Sequence, residues 1–211
     1  MDIKAGTSQR CILPWMKSTK KPYRRVLLVY RRPTCGLERF LQLVSNCGEF
    51  THCEMFCPDL HMNGLLGCTF TNFSFRGMSQ TRDCMRSYTA KTTRHWYAVQ
   101  ELNLASKEFE LFEEWNKLQV SNHCAYNYTD LPLQLLPRKV SNSFIRDLDI
   151  DQSLTPCKLY CAQAVILALR HALPEKHPVC VALSGINTRL STPCCIAGSL
   201  QTVLGRPVAM K

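Results

Sequence analysis

Strand-like and helix-like apolar patterns occupy different parts of this chain, and their order constrains the fold more than any other feature. Short apolar or alternating runs predict β-strands over residues 26–30, 50–56, 68–75 and 95–102. Apolar positions at helical spacing predict helices over 37–44, from Ser106 onward, around Cys161 and after Pro193. Because the strands cluster before most of the helices, the order does not fit a doubly wound sheet. It predicts an α+β domain in which an antiparallel sheet packs against helices.

The length of 211 residues is sufficient for one domain with a full core. Residues 1–22 are polar, basic and interrupted by proline, so we predict a flexible basic arm there and a single domain over 23–211. No apolar run is as long as a membrane-spanning helix, and the basic N-terminus is not followed by the apolar stretch of a signal peptide. These features predict a cytoplasmic protein without a transmembrane segment.

Thirteen cysteines, an odd number, are spread along the chain. A domain of this size does not need disulfides to hold its core, and we expect a protein without a secretion signal to stay in a reducing compartment. The cysteines are therefore expected to be free thiols, most of them buried.

The formal net charge is +10, and much of it lies in the first 32 residues. Such a charge attracts nucleic acid, an anionic membrane surface or an acidic substrate, although a solvated basic tail is the simpler interpretation. No zinc-finger spacing and no basic segment interleaved with aromatic residues supports sequence-specific recognition of nucleic acid.

A nucleophilic cysteine has to be ionised, and a helix N-terminus beside an imidazolium favours the thiolate. Among the cysteines, Cys157 and Cys161 lie near the start of a predicted helix. If that helix begins at Pro156, Cys157 lies in its first turn. If it begins near Tyr160, Cys161 takes that place. The pattern leaves both alternatives open.

His52 is the histidine best placed to act as a base, because it lies centrally in the predicted strand over 50–56, where its backbone would be rigid. Glu54 shares the same face of this strand at i+2. Four of the other histidines lie in loops or near a helix C-terminus: His61, His123, His171 and His177.

Two segments resemble motifs of one enzyme family. The segment over 158–169, which contains Cys161 followed by Ala, Gln and an apolar helix, resembles the nucleophile motif of NlpC-like thiol hydrolases. The strand over 50–56 resembles their histidine strand, which precedes the cysteine only in the circularly permuted branch. That branch includes poxvirus-type papain-like proteins, bacterial amidase-like proteins and relatives of lecithin:retinol acyltransferase. The resemblance covers most of residues 25–205, with Ala162 where the family usually has serine.

The resemblance implies a permuted papain-like domain with Cys161 as the nucleophile at a helix N-terminus and His52 as the general base. It also implies a polar group that orients the imidazole. Glu54 and Asn72 are equal candidates for this role, with Thr71 behind them.

The second oxyanion donor, beside the backbone N–H of Cys161, would be Tyr126. The function that the resemblance implies is a cysteine-dependent hydrolase or acyltransferase acting on an amide, ester or thioester, with no cofactor and no metal. The basic charge favours an anionic acyl or peptide substrate, and a viral member would act in the host cytoplasm or the virion. The resemblance does not choose the scissile bond, the acceptor or the oligomeric state.

Two other functions are compatible with the sequence. An inert papain-like scaffold could bind protein or nucleic acid through its basic arm. A metal site is the third alternative, although no Cys-x-x-Cys occurs. Its ligands would come from Cys53, Cys57, Cys157 and Cys161 with His52 or His61.

Overall fold

A computed structural model describes residues 23–45, 48–59, 66–73, 77–90, 93–127 and 158–210. The predicted arm over 1–22 lies outside these residues, as do Cys157 and His61. Within the described residues the chain has an α+β architecture with an antiparallel six-stranded sheet.

Strand β1 lies at the centre of the sheet, between β2 and β5. The strands are β1 (Tyr23–Arg31), β2 (His52–Pro58), β3 (Leu66–Phe73), β4 (Gly77–Cys84), β5 (Tyr97–Ala105) and β8 (Val208–Ala209), in the spatial order β4-β3-β2-β1-β5-β8. A separate parallel pair joins β6 (Ala125–Tyr126) to β7 (Lys158–Leu159). Residues 26–30 are all buried, which confirms the predicted strand; an uninterrupted apolar run suits a strand that is covered on both faces.

The larger core lies between one face of the sheet and the helices of the C-terminal half. The helices are α1 (Gly36–Ser45), α2 (Met85–Thr89), α3 (Ser106–Ser121), α4 (Cys161–Ala172), α5 (Pro178–Ser184) and α6 (Pro193–Leu204). Fully buried residues of α3, α4, α5 and α6 meet the sheet in this core, among them Phe112, Val165, Ile166, Leu183 and Leu200. No helix of the described residues has the length and apolar character needed to cross a membrane.

The opposite face of the sheet carries a smaller buried cluster. Its members are Leu27, Val29, Phe56, Tyr88 and Met210. Tyr88 comes from α2, and its ring packs edge-on against Phe56 with the centroids 5.7 Å apart. Because successive residues of a strand point to opposite faces, β2 contributes Cys53 and Met55 to the larger core and Phe56 to the smaller cluster.

Several elements depart from the prediction. Strand β4 was missed because its central residues are polar and exposed, and Gly77, which we expected to close a strand, begins it. Helices α2 and α5 were also missed. Ser106 was expected to cap a helix but is its first residue: Ala105 takes the N-cap position, and its N–H donates to Glu108 Oε2 at 2.8 Å. The last helix is as predicted, with Thr192 as its N-cap.

Candidate active site

Cys161 is the first residue of α4, and Tyr160 is its N-cap. The Tyr160 ring is buried, and its hydroxyl accepts a hydrogen bond from the backbone N–H of Ser191 at 3.1 Å and donates to the carbonyl of Thr188. Because these contacts hold Tyr160 in extended backbone, the helix starts at the next residue. Of the two alternatives left open by the sequence, the described residues follow the one with Cys161 in the first turn.

His52 is the first residue of β2, and its Cα partner on β1 is Arg31. On the other side of β2, the register with β3 begins only at Met55, which is opposite Phe70. Residues 52–54 of β2 therefore lie beyond the end of the β2–β3 ladder. Helix α4 packs against β2, and its first residue, Cys161, acts on His52 and Cys53 at this end of the strand, which pairs with β1.

His52 and Cys161 are both buried, with 7% and 5% of their surface exposed, and each side chain shifts the pKa of the other. Burial by itself lowers the pKa of His52, but the charge of Cys161, a hydrogen bond to it and the Glu54 carboxylate raise that pKa to about 9. A hydrogen bond from the Cys53 side chain, together with His52, outweighs burial and holds the pKa of Cys161 well below its ordinary value. These opposite shifts favour a thiolate at Cys161 and an imidazolium at His52.

Hydrogen bonding from the Cys53 thiol is the largest cause of the low pKa of Cys161, and the Cys53 backbone N–H acts in the same direction. Burial and this contact raise the pKa of Cys53 well above its ordinary value, so Cys53 remains a thiol and acts as the donor. The side chains of His52 and Cys53 leave β2 on opposite faces. Cys53 points into the larger core, of which Cys161 is also a member.

The imidazole of His52 has two further polar neighbours. Its Nε2 lies 3.1 Å from the hydroxyl oxygen of Thr71, which is a hydrogen-bond distance. Glu54 Oε2 lies 3.7 Å from the same nitrogen, which is an ion-pair distance. Glu54 and Thr71 therefore both contact the ring, but the hydroxyl makes the direct hydrogen bond and the carboxylate acts by its charge.

A network of polar side chains extends behind Glu54. Burial opposes its ionisation, but His52, the Tyr88 hydroxyl and the charge of Arg31 hold the pKa of Glu54 below its ordinary value. The Tyr88 hydroxyl also lies 3.1 Å from Asp83 Oδ2 and 3.0 Å from the Thr69 hydroxyl. The phenolic hydroxyl donates its proton to Asp83 in these contacts. Burial raises the pKa of Tyr88, so it keeps this proton at neutral pH.

The two remaining residues predicted from the resemblance are Asn72 and Tyr126. Asn72 lies in β3 with its backbone paired to Met78 of β4, and its side chain lies outside the part of the chain that is described. Tyr126 lies in β6, opposite Leu159, which precedes Cys161 by two residues. Its ring is partly buried against the larger core. The orienting role of Asn72 and the oxyanion role of Tyr126 stay predictions.

The sequence analysis missed Cys53 and Tyr88 as members of this site. Cys53 is adjacent to His52, but strand alternation places it on the opposite face, which packs in the larger core together with Cys161. Tyr88 lies in a five-residue helix with no periodic signal. The sequence offered one indication that Tyr88 belongs to a polar site: it is an aromatic residue close to Asp83 at the end of a polar segment.

The described residues do not assemble the metal site that the sequence left open. Among them, no group of three or more His, Cys, Asp or Glu side chains could hold a metal ion. Two of its proposed ligands, Cys157 and His61, lie outside those residues. No family model, curated protein or solved structure matches this chain. The resemblance to permuted NlpC-like proteins therefore stays a prediction from the two motifs over 50–56 and 158–169.

Proposed function

We propose that this chain is a cysteine-dependent hydrolase or acyltransferase in which Cys161 is the nucleophile and His52 the acid–base group. One observation carries the proposal: the buried contact between these two side chains, in which the pKa of Cys161 is lowered and that of His52 is raised. A buried cysteine without such a partner is a neutral thiol of little reactivity. Perturbed pairs of this kind are typical of functional sites.

The proposed reaction begins with the ionised pair. The Cys161 thiolate attacks the carbonyl carbon of an amide, ester or thioester, a C–S bond forms and the carbonyl oxygen becomes an oxyanion. The tetrahedral intermediate collapses, and the leaving nitrogen, oxygen or sulfur takes the proton of His52 as its bond to carbon breaks. Water or another acceptor then gives its proton to the neutral His52 and attacks the acyl carbon. The C–S bond breaks and the ion pair is restored.

Orientation of the imidazole is assigned to Thr71 and Glu54. Since Nε2 faces both of these side chains, the proposed mechanism uses Nδ1 for proton exchange with the sulfur and the leaving group. The oxyanion would be held by the backbone N–H of Cys161, which lies in the first turn of α4 where N–H groups have no partner within the helix, and by Tyr126.

The proposed fold is the circularly permuted papain-like domain with its nucleophile at a helix N-terminus. The chain order supports it, since the histidine strand β2 precedes the cysteine helix α4 and both meet at one end of the sheet. The net charge of +10 favours an anionic acyl or peptide substrate in the cytoplasm. Peptidase, amidase and lipid acyltransferase activities all fit this chemistry.

Labelling with a thiol-directed acyl probe tests the proposal. We expect strong labelling of the wild type at neutral pH, its loss in Cys161→Ala, and normal labelling of Cys157→Ala. Cys180→Ala is a matched control, because Cys180 is a buried thiol of the same core whose pKa is raised by burial. Loss only in Cys157→Ala would move the nucleophile to that residue. If the wild type and the three variants are labelled equally, no single cysteine is unusually reactive and the proposal is wrong.

A further inference from the structure

Helix α1 binds the chain segments on either side of it through polar side chains. The Glu38 carboxylate accepts a hydrogen bond from the backbone N–H of Thr34 at 2.6 Å and lies 2.5 Å from the guanidinium of Arg31. One turn further along, the Gln42 amide donates to the carbonyl oxygen of Gly48. Because Glu38 and Gln42 are four residues apart, they share one face of the helix. This polar face is therefore the one that holds α1 in place.

The described apolar side chains of α1 point to solvent. Phe40 and Leu43 are 61% and 80% exposed. They are three residues apart, so they are neighbours on the helix surface. A surface helix of a globular protein normally packs its apolar residues on the core and leaves its polar residues in water. The arrangement in α1 is the reverse, and an outward apolar face is what a helix needs in order to lie on a membrane.

Exposed arginines accompany this apolar pair. Arg39 is exposed in α1 itself. Arg94 is exposed in a short 3₁₀ turn directly before β5, and the carbonyl oxygen of His95 in that turn accepts a hydrogen bond from Nη1 of Arg32 at 2.9 Å. Since Arg32 follows β1 and precedes α1 by four residues, this contact holds the turn beside the segment that leads into the helix. Two basic side chains therefore lie at the same end of the sheet as the exposed apolar residues.

The two acidic residues nearest to these arginines have other partners. Glu38 pairs with Arg31, and Glu49 pairs with Arg32. Within the described part of the chain, no ion pair involves Arg39 or Arg94. The charge of these two arginines therefore remains available to an external anion.

We propose that α1 docks on anionic lipid bilayers, with Phe40 and Leu43 inserted between the lipids and with Arg39 and Arg94 bound to the anionic headgroups. Interfacial helices of this kind gain affinity from the burial of their apolar face and from the attraction of basic residues to anionic lipids. The net charge of +10 strengthens the same attraction. This docking does not depend on the proposed acyl-transfer chemistry.

Two other partners fit this surface less well. In a symmetric dimer the same patch meets itself, so Arg39 and Arg94 would face the arginines of the second copy. Two apolar side chains also cover much less than the roughly 800 Å² that each partner buries in a stable interface. A nucleic acid would bind the arginines but would leave Leu43 in water. An anionic bilayer takes both the apolar and the basic side chains.

Flotation of the full chain with lipid vesicles tests the proposal. We expect the wild type to bind vesicles of phosphatidylcholine mixed with phosphatidylserine, and to bind vesicles of phosphatidylcholine alone much more weakly. Phe40→Ala combined with Leu43→Ala should weaken binding to the mixed vesicles by about tenfold or more, because two large apolar side chains no longer enter the bilayer. Val181→Ala is the matched control and should bind as the wild type does, since Val181 is 58% exposed in α5.

The charged part of the surface is tested in the same way. Arg39→Gln should weaken binding to the mixed vesicles roughly fivefold, which is the contribution of one arginine near an anionic membrane. Arg206→Gln removes the same charge from an exposed position just before β8 and should bind nearly as the wild type does. In the wild type, mixed vesicles should slow amide hydrogen exchange in α1, as measured by mass spectrometry. This measurement needs no variant, so it holds even if a substitution disturbs the helix.

Several results would overturn the assignment of α1. Equal binding to both kinds of vesicle would show that the lipid charge is not recognised. If the variant without Phe40 and Leu43 binds as the wild type does, or if exchange slows only outside α1, the membrane contact lies elsewhere on the basic surface. A wild-type dimer that dissociates in this variant, without vesicle binding, would assign the surface to a second copy. Binding of DNA but not of vesicles would assign the arginines to nucleic acid.

Discussion

The hydroxyl oxygen of Thr71 lies 3.1 Å from Nε2 of His52. Glu54 Oε2 is further from the same nitrogen, at 3.7 Å, although it carries the full charge. A neutral hydroxyl thus fixes the direction of the ring, while a carboxylate stabilises its positive charge. Because the two contributions come from different side chains, they can be separated by substitution.

Removal of the Thr71 hydroxyl should slow the proposed reaction without unfolding the protein. Thr71→Val keeps the shape of the side chain but leaves Nε2 without its hydrogen bond. A hydrogen bond to a charged group contributes about 1.5–3 kcal/mol, which corresponds to roughly ten- to a hundredfold in rate. The rate constant of acyl-probe labelling measures this loss. Thr71→Ser, which retains the hydroxyl, should keep most of the wild-type rate. Equal rates for the valine and serine variants would contradict an orienting role.

Neutralisation of Glu54 should lower the pKa of His52 below about 9, because the carboxylate is one of the groups that raise it. Glu54→Gln keeps the volume of the side chain. We expect the alkaline limb of the labelling profile to move to lower pH, together with the NMR titration of the His52 ring. Glu101→Gln is the matched control, since Glu101 is a half-exposed carboxylate of β5 that pairs with Arg25 at 3.7 Å. An unchanged alkaline limb in Glu54→Gln would show that the carboxylate does not act on the ring.

The ion pair predicts a bell-shaped dependence of Cys161 reactivity on pH. Below the lowered pKa of Cys161 the sulfur is protonated, and reactivity is lost as pH falls through that value. Above about 9, His52 loses its proton and can no longer protonate a leaving group, so acyl transfer falls again. Alkylation by iodoacetamide needs only the thiolate and should show the acid limb alone. An acid limb close to pH 8.5, the ordinary value for a thiol, would contradict the ion pair.

Replacement of His52 tests the same pair from the other side. In His52→Ala the Cys161 sulfur loses its imidazolium partner but keeps Cys53, so its pKa should rise part of the way to the ordinary value and its alkylation at pH 7 should slow severalfold, to about a tenth of the wild-type rate at most. The rate of iodoacetamide modification at Cys161, followed by peptide mapping, gives this result directly. His171→Ala serves as the control, because His171 lies in the last turn of α4. Alkylation that is equally fast in both variants would place the source of ionisation elsewhere.

The sequence carried enough information for the central elements and for the pairing of Cys161 with His52. The apolar run over 26–30 predicted β1, and the apolar positions at helical spacing after Cys161 predicted α4. Such patterns predict elements well because they reflect which residues are buried. Strand β4 was not predictable in this way, since its residues 80–82 are exposed and polar. The thiol of Cys53 was not predictable either, because the sequence did not show that its face of β2 packs in the same core as Cys161.

The start of β4 offers a test of how the fold supports this site. Gly77 has φ +67°, and a Cβ atom there would lie 2.5 Å from the carbonyl oxygen of Cys124, which accepts the N–H of Met78 at 2.8 Å. Gly77→Ala therefore combines a left-handed backbone with a clash against main chain, and we expect a loss of about 1–3 kcal/mol in the free energy of unfolding. Gly185→Ala is the matched control. Gly185 has φ −78°, and a methyl group added there would meet nothing within 4 Å, so the stability of this variant should be unchanged or slightly increased.

Urea unfolding measures both variants, and acyl-probe labelling in native buffer measures the effect on the site. Strand β4 pairs with β3 from Gly77 onward, and its Ser79 lies opposite Thr71, the residue that fixes the His52 ring. A shift of the start of β4 would therefore be transmitted to Thr71, and we expect Gly77→Ala to slow labelling even where it remains folded. If Gly77→Ala and Gly185→Ala unfold at the same urea concentration, the left-handed turn and its contact with Cys124 do not hold this end of the sheet. If Gly77→Ala is destabilised but labels at the wild-type rate, the position of Thr71 does not depend on the start of β4.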